Sequence, residues 1–332
     1  MSLVAATGIP SPSEGVWYLG PLPLRAYGII IAIGMVVGVW WTARRYVARG
    51  GSSDTIYDVA LWAIPLGVVG ARLYHVVTSP EAYFGPGGDP MLAFQIWRGG
   101  LGIWGGVALG ALGAYVGVKR AKVRFGPIAD SLAPALLVAQ GIGRWGNWFN
   151  QELFGGPTTL PWGLQIDAAH VPVGYPVGTL FHPTFLYESL WDLAGAALIV
   201  VLERRRRFAA GQLFGMYLMV YTAGRTWIEM LRIDDAHTVA GLRLNVWTSL
   251  AVFLLGVALF VVAGRLGRSC EVAGDGAVTD DDEHEGEHSE ASDSDAEDII
   301  ETRVDEDESA EERVLSRTFK PPSGTLLESK VP

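Results

Sequence analysis

The sequence predicts an all-α membrane protein that crosses the bilayer about seven times. Half of its 332 residues are hydrophobic and its mean hydropathy is +0.27, which is unusual for a soluble domain. Seven mostly apolar runs approach the length of roughly 20 residues that a transmembrane helix needs. The runs are Leu24–Thr42, Tyr57–Val77, Leu101–Val118, Ile128–Phe149, Pro183–Leu202, Gln212–Leu231 and Val246–Ala263.

The first and last runs have long, continuous apolar stretches, whereas charges and glycines interrupt those between them more often. The third run contains glycines at spacings that allow close helix packing in lipid: Gly102, Gly105, Gly106, Gly110, Gly113 and Gly117. Basic residues follow the first, third, fifth and seventh runs, 13 in all, against four on the opposite side. This asymmetry predicts an external N-terminus and a cytoplasmic C-terminus, because cytoplasmic loops are enriched in Lys and Arg.

Two segments fall outside the spans. Residues 150–181 contain prolines, glycines and no Lys or Arg, and we expect them to form a small folded cap at the outer surface. From Glu271 onward the chain has 21 acids and five bases, against 14 acids and 20 bases before it. We therefore expect a transmembrane domain carrying the chemistry over residues 1–268 and a disordered, acidic cytoplasmic tail over residues 269–332.

The N-terminal 20 residues contain no Lys or Arg and no apolar core, so we expect no cleaved signal peptide. The single cysteine, Cys270, excludes an internal disulfide and a cysteine-based metal site, and an incidental thiol is favoured over palmitoylation. No cluster of side chains has metal-ligand spacing, so no metal or other cofactor is expected. Nothing predicts a nucleic-acid partner.

Ionisable residues within membrane spans are energetically costly and are candidates for function. Those in or beside the runs are Arg72, His75, Asp130, Arg144, Glu152, His182, Glu188, Asp192, Arg225 and Glu229. Arg144 and Asn147 share a helix face, and a guanidinium beside a carboxamide suits phosphate oxygens. Glu152 could act as a base or hold Arg144, and the alternative for Arg144 is an ion pair that locks two helices. Arg72 and His75 could contact lipid or pair with Asp130, Glu188 or Asp192.

The densest polar stretch resembles the signature of the bacterial prolipoprotein diacylglyceryl transferases, G-R-x-G-N-F-x-N-x-E-x-x-G. The matching residues are Gly143, Arg144, Gly146, Asn147, Asn150, Glu152 and Gly155, while Trp148 replaces the usual Phe. Five other segments are similar to motifs of the same family in the same order: Leu24–Gly28, Gly70–Leu73, Trp97–Gly106, His182–Glu188 and Gly224–Arg232. The resemblance covers roughly residues 20–265.

The resemblance implies an enzyme of the bacterial cell membrane that uses phosphatidylglycerol and preprolipoproteins as substrates. It would transfer the diacylglyceryl group to the lipobox cysteine of the signal peptide, forming a thioether and releasing glycerol 1-phosphate. Arg144 and Arg225 are the hypothesised phosphate ligands, and Asn147, Gly155 and Glu229 complete the expected lipid-binding set. Glu229 stands four residues after Arg225 and could orient it.

The sequence does not decide which residue accepts the thiol proton. Glu152, His182 and Tyr27 are the candidates, and a nearby arginine pair could also activate the thiol without a dedicated base. Trp104 stands where many family members have a His, and an indole accepts no proton at neutral pH. Two other functions are compatible with buried charges in glycine-rich spans, namely a secondary transporter and a non-catalytic lipid-binding membrane protein. A lipoprotein signal peptidase would need paired aspartates, but Asp130 and Asp192 fall at opposite membrane sides.

Overall fold

The computed structural model describes residues 8–20, 22–236, 238–268 and 270–272. Within this part of the chain, eight α-helices account for most residues, and seven of them coincide with the predicted runs. They are α1 (Ala26–Val47), α2 (Ser53–Thr78), α3 (Glu81–Phe84), α4 (Ile103–Ala121), α5 (Phe125–Asn150), α6 (Thr184–Arg205), α7 (Gln212–Leu231) and α8 (Leu244–Leu266). The predicted tail lies outside the described residues except for Cys270–Val272.

Five helices of the described chain, α1, α2, α5, α6 and α8, are long and apolar enough to cross a membrane. The structure is therefore that of a mostly helical, multi-span membrane protein. Helices α4 and α7 fall short of the same measure of length and composition. The glycines of α4 contribute little hydrophobicity, and α7 contains the charged residues Arg225 and Glu229.

Small residues bring the helices together in pairs. A side chain on Gly105 of α4 would collide with the Gly70 carbonyl of α2, and a Cβ on Gly113 would lie 2.5 Å from the Trp62 carbonyl. Helices α7 and α8 meet in the same way, since a Cβ on Gly215 would lie 2.9 Å from the Gly256 carbonyl. The close packing predicted for the glycine-rich third run is confirmed, and glycine is used for it elsewhere too.

Short strands are a feature that the all-α prediction missed. A three-stranded sheet joins β1 (Ile9–Pro10), β4 (Leu164–Gln165) and β5 (Leu180–Phe181), with β1 parallel and β5 antiparallel to β4. Two hairpins form from β2 (Val16–Leu19) with β3 (Leu22–Arg25), and from β6 (Thr238–Val239) with β7 (Leu242–Arg243). Strands of two to four residues are too short to give an alternating pattern in the sequence.

The stretch between α5 and α6 has a hydrophobic core of its own. Its buried members are Phe154, Leu164, Ile166, Phe181 and Phe185, and Ile9 of the N-terminal segment packs against them. The segment that precedes α1 is thereby fastened to residues 150–181 through both backbone pairing and apolar contact. This folded unit covers the end of the helix bundle at which α5 stops and α6 starts.

The opposite end of the bundle is held by a polar cluster. Asp130 is fully buried and accepts hydrogen bonds from the backbone N–H groups of Gly211 (2.7 Å) and Phe214 (3.0 Å), so it caps the start of α7. The Cys270 thiol donates to the same carboxylate at 3.4 Å. Asp130 therefore has a structural role at the start of α7. About 14 residues of α5, some 21 Å of helix, separate it from Arg144.

Candidate active site

Three helices converge on one carboxylate. Arg144 of α5 places Nε 2.8 Å from Oε2 of Glu188 on α6, and Arg225 of α7 places Nη1 3.0 Å from Oε1. Each oxygen of Glu188 thus holds one guanidinium, and the side chains of both arginines are 18% exposed. We call Arg144 and Arg225 the arginine pair. Sequence reasoning named both arginines as site residues, whereas it left Glu188 among the structural alternatives.

Glu229 forms an ion pair with Arg225. Its Oε2 lies 2.8 Å from Nη2 of Arg225, which confirms the ion pair expected from the four-residue spacing. Its Oε1 lies 2.8 Å from Nε of Arg243 and accepts a hydrogen bond from Asn245 at 2.9 Å. Glu229 is fully buried, and its carboxylate is enclosed by Arg225, Arg243 and Asn245. Its contacts suit it to orient Arg225.

A second set of ion pairs adjoins Glu229. Arg232 and Arg243 both bind Asp234, with Nε to Oδ1 at 2.8 Å and Nη2 to Oδ2 at 3.0 Å respectively. Burial alone would raise the pKa of Asp234, but the hydrogen bonds from Arg232 and the charges of both arginines outweigh it and hold that pKa below its ordinary value. Sequence reasoning missed Arg243, because 14 residues separate it from Glu229. The signal available was that a buried carboxylate needs cationic partners.

A small cavity opens beside the arginine pair. Its lining comes from α5, α6 and α7 and consists of Arg144, Glu188, Trp191, Asp192, Tyr221, Gly224, Arg225 and Ile228. Arg144 donates a long hydrogen bond of 3.4 Å to the Tyr221 hydroxyl, and the Trp191 ring packs directly on Gly224. Asp192 is 3% exposed, and its Oδ2 has no hydrogen-bond partner among the described residues.

Glu152 belongs to a different group from the one expected. Asn147 and Asn150 both donate to its Oε1, at 3.1 Å and 2.9 Å. Helix α5 ends at Asn150, and Gln151 adopts a left-handed conformation (φ 51°) that turns the exposed Glu152 back over the helix end. Asn147 therefore donates to Glu152, and of the two roles left open for Glu152, that of holding Arg144 is taken by Glu188.

Tyr27 of α1 interacts with both Glu152 and Arg144. Its ring packs on α5 at Gly146, where an added Cβ would lie 2.5 Å from the ring. The tyrosine interacts electrostatically with both Glu152 and Arg144, and it is 38% exposed. A glycine at residue 146 is therefore needed for the Tyr27 ring to pack against α5 at this point.

His182 and Gly155 lie together at the start of α6. The Gly155 N–H donates to the His182 carbonyl at 2.9 Å, and a Cβ on Gly155 would lie 2.8 Å from the His182 Cβ. The His182 Nδ1 is 3.2 Å from the Tyr187 hydroxyl. Among the contacts of the described chain, none joins His182 to either member of the arginine pair. Gly155 is accordingly a point of close chain approach whose N–H is already engaged.

Two other residues singled out in the sequence lie elsewhere. Arg72 donates to the carbonyls of Ala93 (2.9 Å), Gly99 (2.6 Å) and Gly100 (2.8 Å), so the suggested pairing with a buried acid is wrong. Its guanidinium instead fixes the loop before α4, where unpaired carbonyls would be costly. Trp104 is half-exposed in the first turn of α4 and offers no proton-accepting atom.

Comparisons with known proteins agree with the family resemblance seen in the sequence. The family model described as prolipoprotein diacylglyceryl transferase matches residues 14–262. A phosphatidylglycerol–prolipoprotein diacylglyceryl transferase 2 of Streptomyces coelicolor is 56% identical over 257 residues, covering 77% of this chain and 81% of the relative. Transferases of the same name from Bifidobacterium adolescentis and Paenarthrobacter aurescens are each 50% identical, covering 80% of this chain and 82% and 86% of their own lengths.

Proposed function

Because the chain belongs to the prolipoprotein diacylglyceryl transferase family, we propose that it transfers the diacylglyceryl group of phosphatidylglycerol to a cysteine of prolipoproteins. The acceptor is the lipobox cysteine of the signal peptide. Its sulfur forms a bond to the glyceryl carbon that bears the phosphate, and the C–O bond from that carbon to the phosphate breaks. The electron pair leaves with glycerol 1-phosphate, and the thiol proton passes to a base.

The arginine pair is the observation that carries this proposal. Two guanidinium groups from different helices are held by Glu188 next to a cavity, and each keeps further N–H donors that Glu188 does not use. Such preorganised donors stabilise the negative charge that accumulates on a departing phosphate. A membrane-embedded site also excludes water, which strengthens the interaction and limits hydrolysis of the lipid.

Glu152 is the best-placed base. Two carboxamides orient one of its oxygens, while the residue as a whole stays exposed, and Tyr27 interacts electrostatically with both Glu152 and Arg144. His182 hydrogen-bonds with Tyr187 and contacts neither arginine of the pair in the described chain. We expect Glu152→Gln to lower kcat/KM by about 10²–10⁴-fold, the range of general-base catalysis, and His182→Asn to lower it much less.

A reconstituted transfer reaction tests the function. The purified protein is incubated with phosphatidylglycerol vesicles and a lipobox peptide, and mass spectrometry follows the addition of a diacylglyceryl group to the peptide cysteine. A matched peptide with serine in place of that cysteine is the control and should gain no mass. Absence of transfer by the folded wild-type protein would contradict the proposal and favour a transporter or a lipid-binding role.

The membrane arrangement is part of the proposal. Seven helices span the bacterial cell membrane, with the N-terminus and residues 150–181 outside and the C-terminus in the cytoplasm. In a Cys270→Ser background, Thr159→Cys should react with an impermeant maleimide on intact cells. Arg206→Cys, between α6 and α7, should react only after permeabilisation. The reverse labelling pattern would overturn this orientation.

A further inference from the structure

Asp192 is a buried carboxylate that the proposed reaction does not use. It lies one helical turn after Glu188 on α6, it is 3% exposed, and no described group donates a hydrogen bond to its Oδ2. Buried polar atoms without partners are rare in native proteins and cost free energy. When such an atom lines a cavity, a ligand that donates to it would remove that cost.

The surroundings of Asp192 define what such a ligand must offer. The same cavity is lined by Arg144 and Arg225, whose guanidinium groups can only donate hydrogen bonds. Glu188 has both oxygens occupied by these arginines, so Asp192 supplies the unengaged acidic acceptor of the cavity lining. The hydrogen-bonding groups of the lining therefore complement an anionic group that stands beside a hydrogen-bond donor.

The head group of phosphatidylglycerol has this combination, because its phosphodiester accepts hydrogen bonds and its terminal glycerol has two hydroxyls that donate them. We propose that Asp192 is a specificity-determining residue whose carboxylate accepts hydrogen bonds from these hydroxyls while the arginine pair holds the phosphate. This inference rests on the proposed function and adds to it the basis on which one phospholipid class is selected.

The inference predicts discrimination by hydroxyl content. A phospholipid with a propyl group in place of the glycerol keeps the phosphate and the three-carbon chain but lacks both hydroxyls, so it leaves Asp192 without a donor. A site built to bind a hydroxyl disfavours an analogue that lacks it, because the buried group of the site then stays unpaired. We expect kcat/KM for phosphatidylglycerol to exceed that for phosphatidylpropanol by about 10- to 100-fold in the wild-type protein.

The experiment measures diacylglyceryl transfer to a lipobox peptide from phosphatidylglycerol and phosphatidylpropanol, using the wild type, Asp192→Leu and Asp192→Glu. Asp192→Leu should lose the preference and transfer from both lipids at similar rates. Asp192→Glu should keep part of the preference. Asp58→Asn removes the same charge from an exposed position of α2 and should leave the preference unchanged.

A product-inhibition measurement with the wild type needs no variant to fold. Glycerol 1-phosphate should inhibit transfer at a concentration about 10-fold lower than n-propyl phosphate. Equal inhibition, equal use of the two lipids by the wild type, or an undiminished preference in Asp192→Leu would each overturn the role of Asp192. These outcomes all require transfer from phosphatidylglycerol, whereas loss of the proposed function itself would appear as no transfer from either lipid.

Discussion

Within the site, the hydrogen-bonding atoms of each side chain decide its role. Glu188 occupies one nitrogen of each member of the arginine pair, and Glu229 occupies a second nitrogen of Arg225. The two carboxylates position both guanidinium groups without a lipid, so the remaining donors should need little reorganisation to meet the phosphate of the proposed reaction. Preorganisation of this kind is the main source of electrostatic catalysis in enclosed sites.

The first prediction concerns the arginine pair. Arg144→Ala and Arg225→Ala should each lower kcat/KM by at least about 10²–10³-fold, as expected for loss of a donor that stabilises charge in the transition state. Arg225→Lys should fall between alanine and wild type, since an ammonium keeps the charge but cannot bridge Glu188 and Glu229. The measurement is peptide lipidation under single-turnover conditions.

Arg204→Ala is the matched control, because it removes the same side chain from an exposed position at the end of α6. It should retain wild-type transfer. Near wild-type transfer by Arg144→Ala in a folded protein would show that the phosphate is held by other groups.

The second prediction concerns the thiol of Cys270. Burial, together with the charge of Asp130, raises the pKa of this thiol to about 11 from an ordinary value of 9.0. Only the thiolate is nucleophilic, and two pKa units reduce it about 100-fold at neutral pH. Alkylation by iodoacetamide at pH 8 should therefore be about 100-fold slower than for a free thiol and should accelerate up to about pH 11.

Because Cys270 is the single cysteine, the whole signal comes from one residue. The denatured protein provides the reference, in which the same thiol should react at the ordinary rate. Equal rates in the folded and denatured protein would mean that the thiol is not buried against Asp130.

The residues also show how far local spacing predicts a site. The pairing of Arg225 with Glu229 follows from helical geometry and was predictable from four residues of separation. The spacing of Arg144 and Asn147 did not reveal the partner of the Asn147 amide, because it is the left-handed Gln151 that brings Glu152 into reach. Arg243 meets Glu229 only through tertiary packing, which no local pattern contains.

Among the helices, glycine determines how closely the backbones approach. Lipid supplies no hydrophobic driving force between helices, so van der Waals contact across a close interface contributes much of the stability. Gly70 of α2 and Gly105 of α4 face each other's carbonyls, and Leu109 packs at the same place. The backbone contact there leaves no volume for a methyl group.

The third prediction is that Gly70→Ala destabilises the protein. Its Cβ would collide with the Gly105 carbonyl and lie 2.6 Å from the Leu109 Cβ, so the helices must separate. Overpacking of this kind costs about 1–3 kcal/mol. Thermal unfolding in detergent should show a lower Tm, measured by loss of helical circular dichroism or by dye binding.

Gly28→Ala in α1 is the control, since nothing lies within 4 Å of its added Cβ. Like Gly70→Ala, this variant gains about 1 kcal/mol of helix propensity because alanine replaces glycine. Without a steric clash, it should not lower the Tm. Equal Tm values for the two variants would indicate that α2 and α4 tolerate a wider separation.

Helix existence was predictable from hydropathy, whereas helix ends were not. The first run was expected to end at Thr42, but α1 continues to Val47 through Arg44 and Arg45. Arg44 lies over the Trp40 ring, and Arg45 pairs with Glu203 of α6, so the charged last turn is stabilised by contacts that hydropathy does not register. The two-residue strands depend wholly on partners distant in sequence.

For the molecule as a whole, the two ends of the bundle have separate tasks. The charged residues of the site and their supports come from residues 144–243, and Tyr27 joins them from α1. At the other end, the chain after α8 folds back over the bundle, with Ala210 donating to the Arg268 carbonyl (3.0 Å) and Val272 donating to the Arg49 carbonyl (2.9 Å). The chain as far as Val272 thus contributes to stability at a distance from the chemistry.

The last prediction distinguishes the effect of the acidic tail from that of the chain between α8 and Val272. Deletion of residues 273–332 should leave kcat/KM and Tm close to wild type, because every described residue of the site and of its supports precedes residue 273. Deletion of residues 267–332 removes the contacts of Arg268, Cys270 and Val272, at about 1 kcal/mol for each buried hydrogen bond, and should lower the Tm. The shared loss of the acidic tail makes each deletion the control for the other. A large fall in kcat/KM on the shorter deletion would instead assign the tail a part in substrate handling.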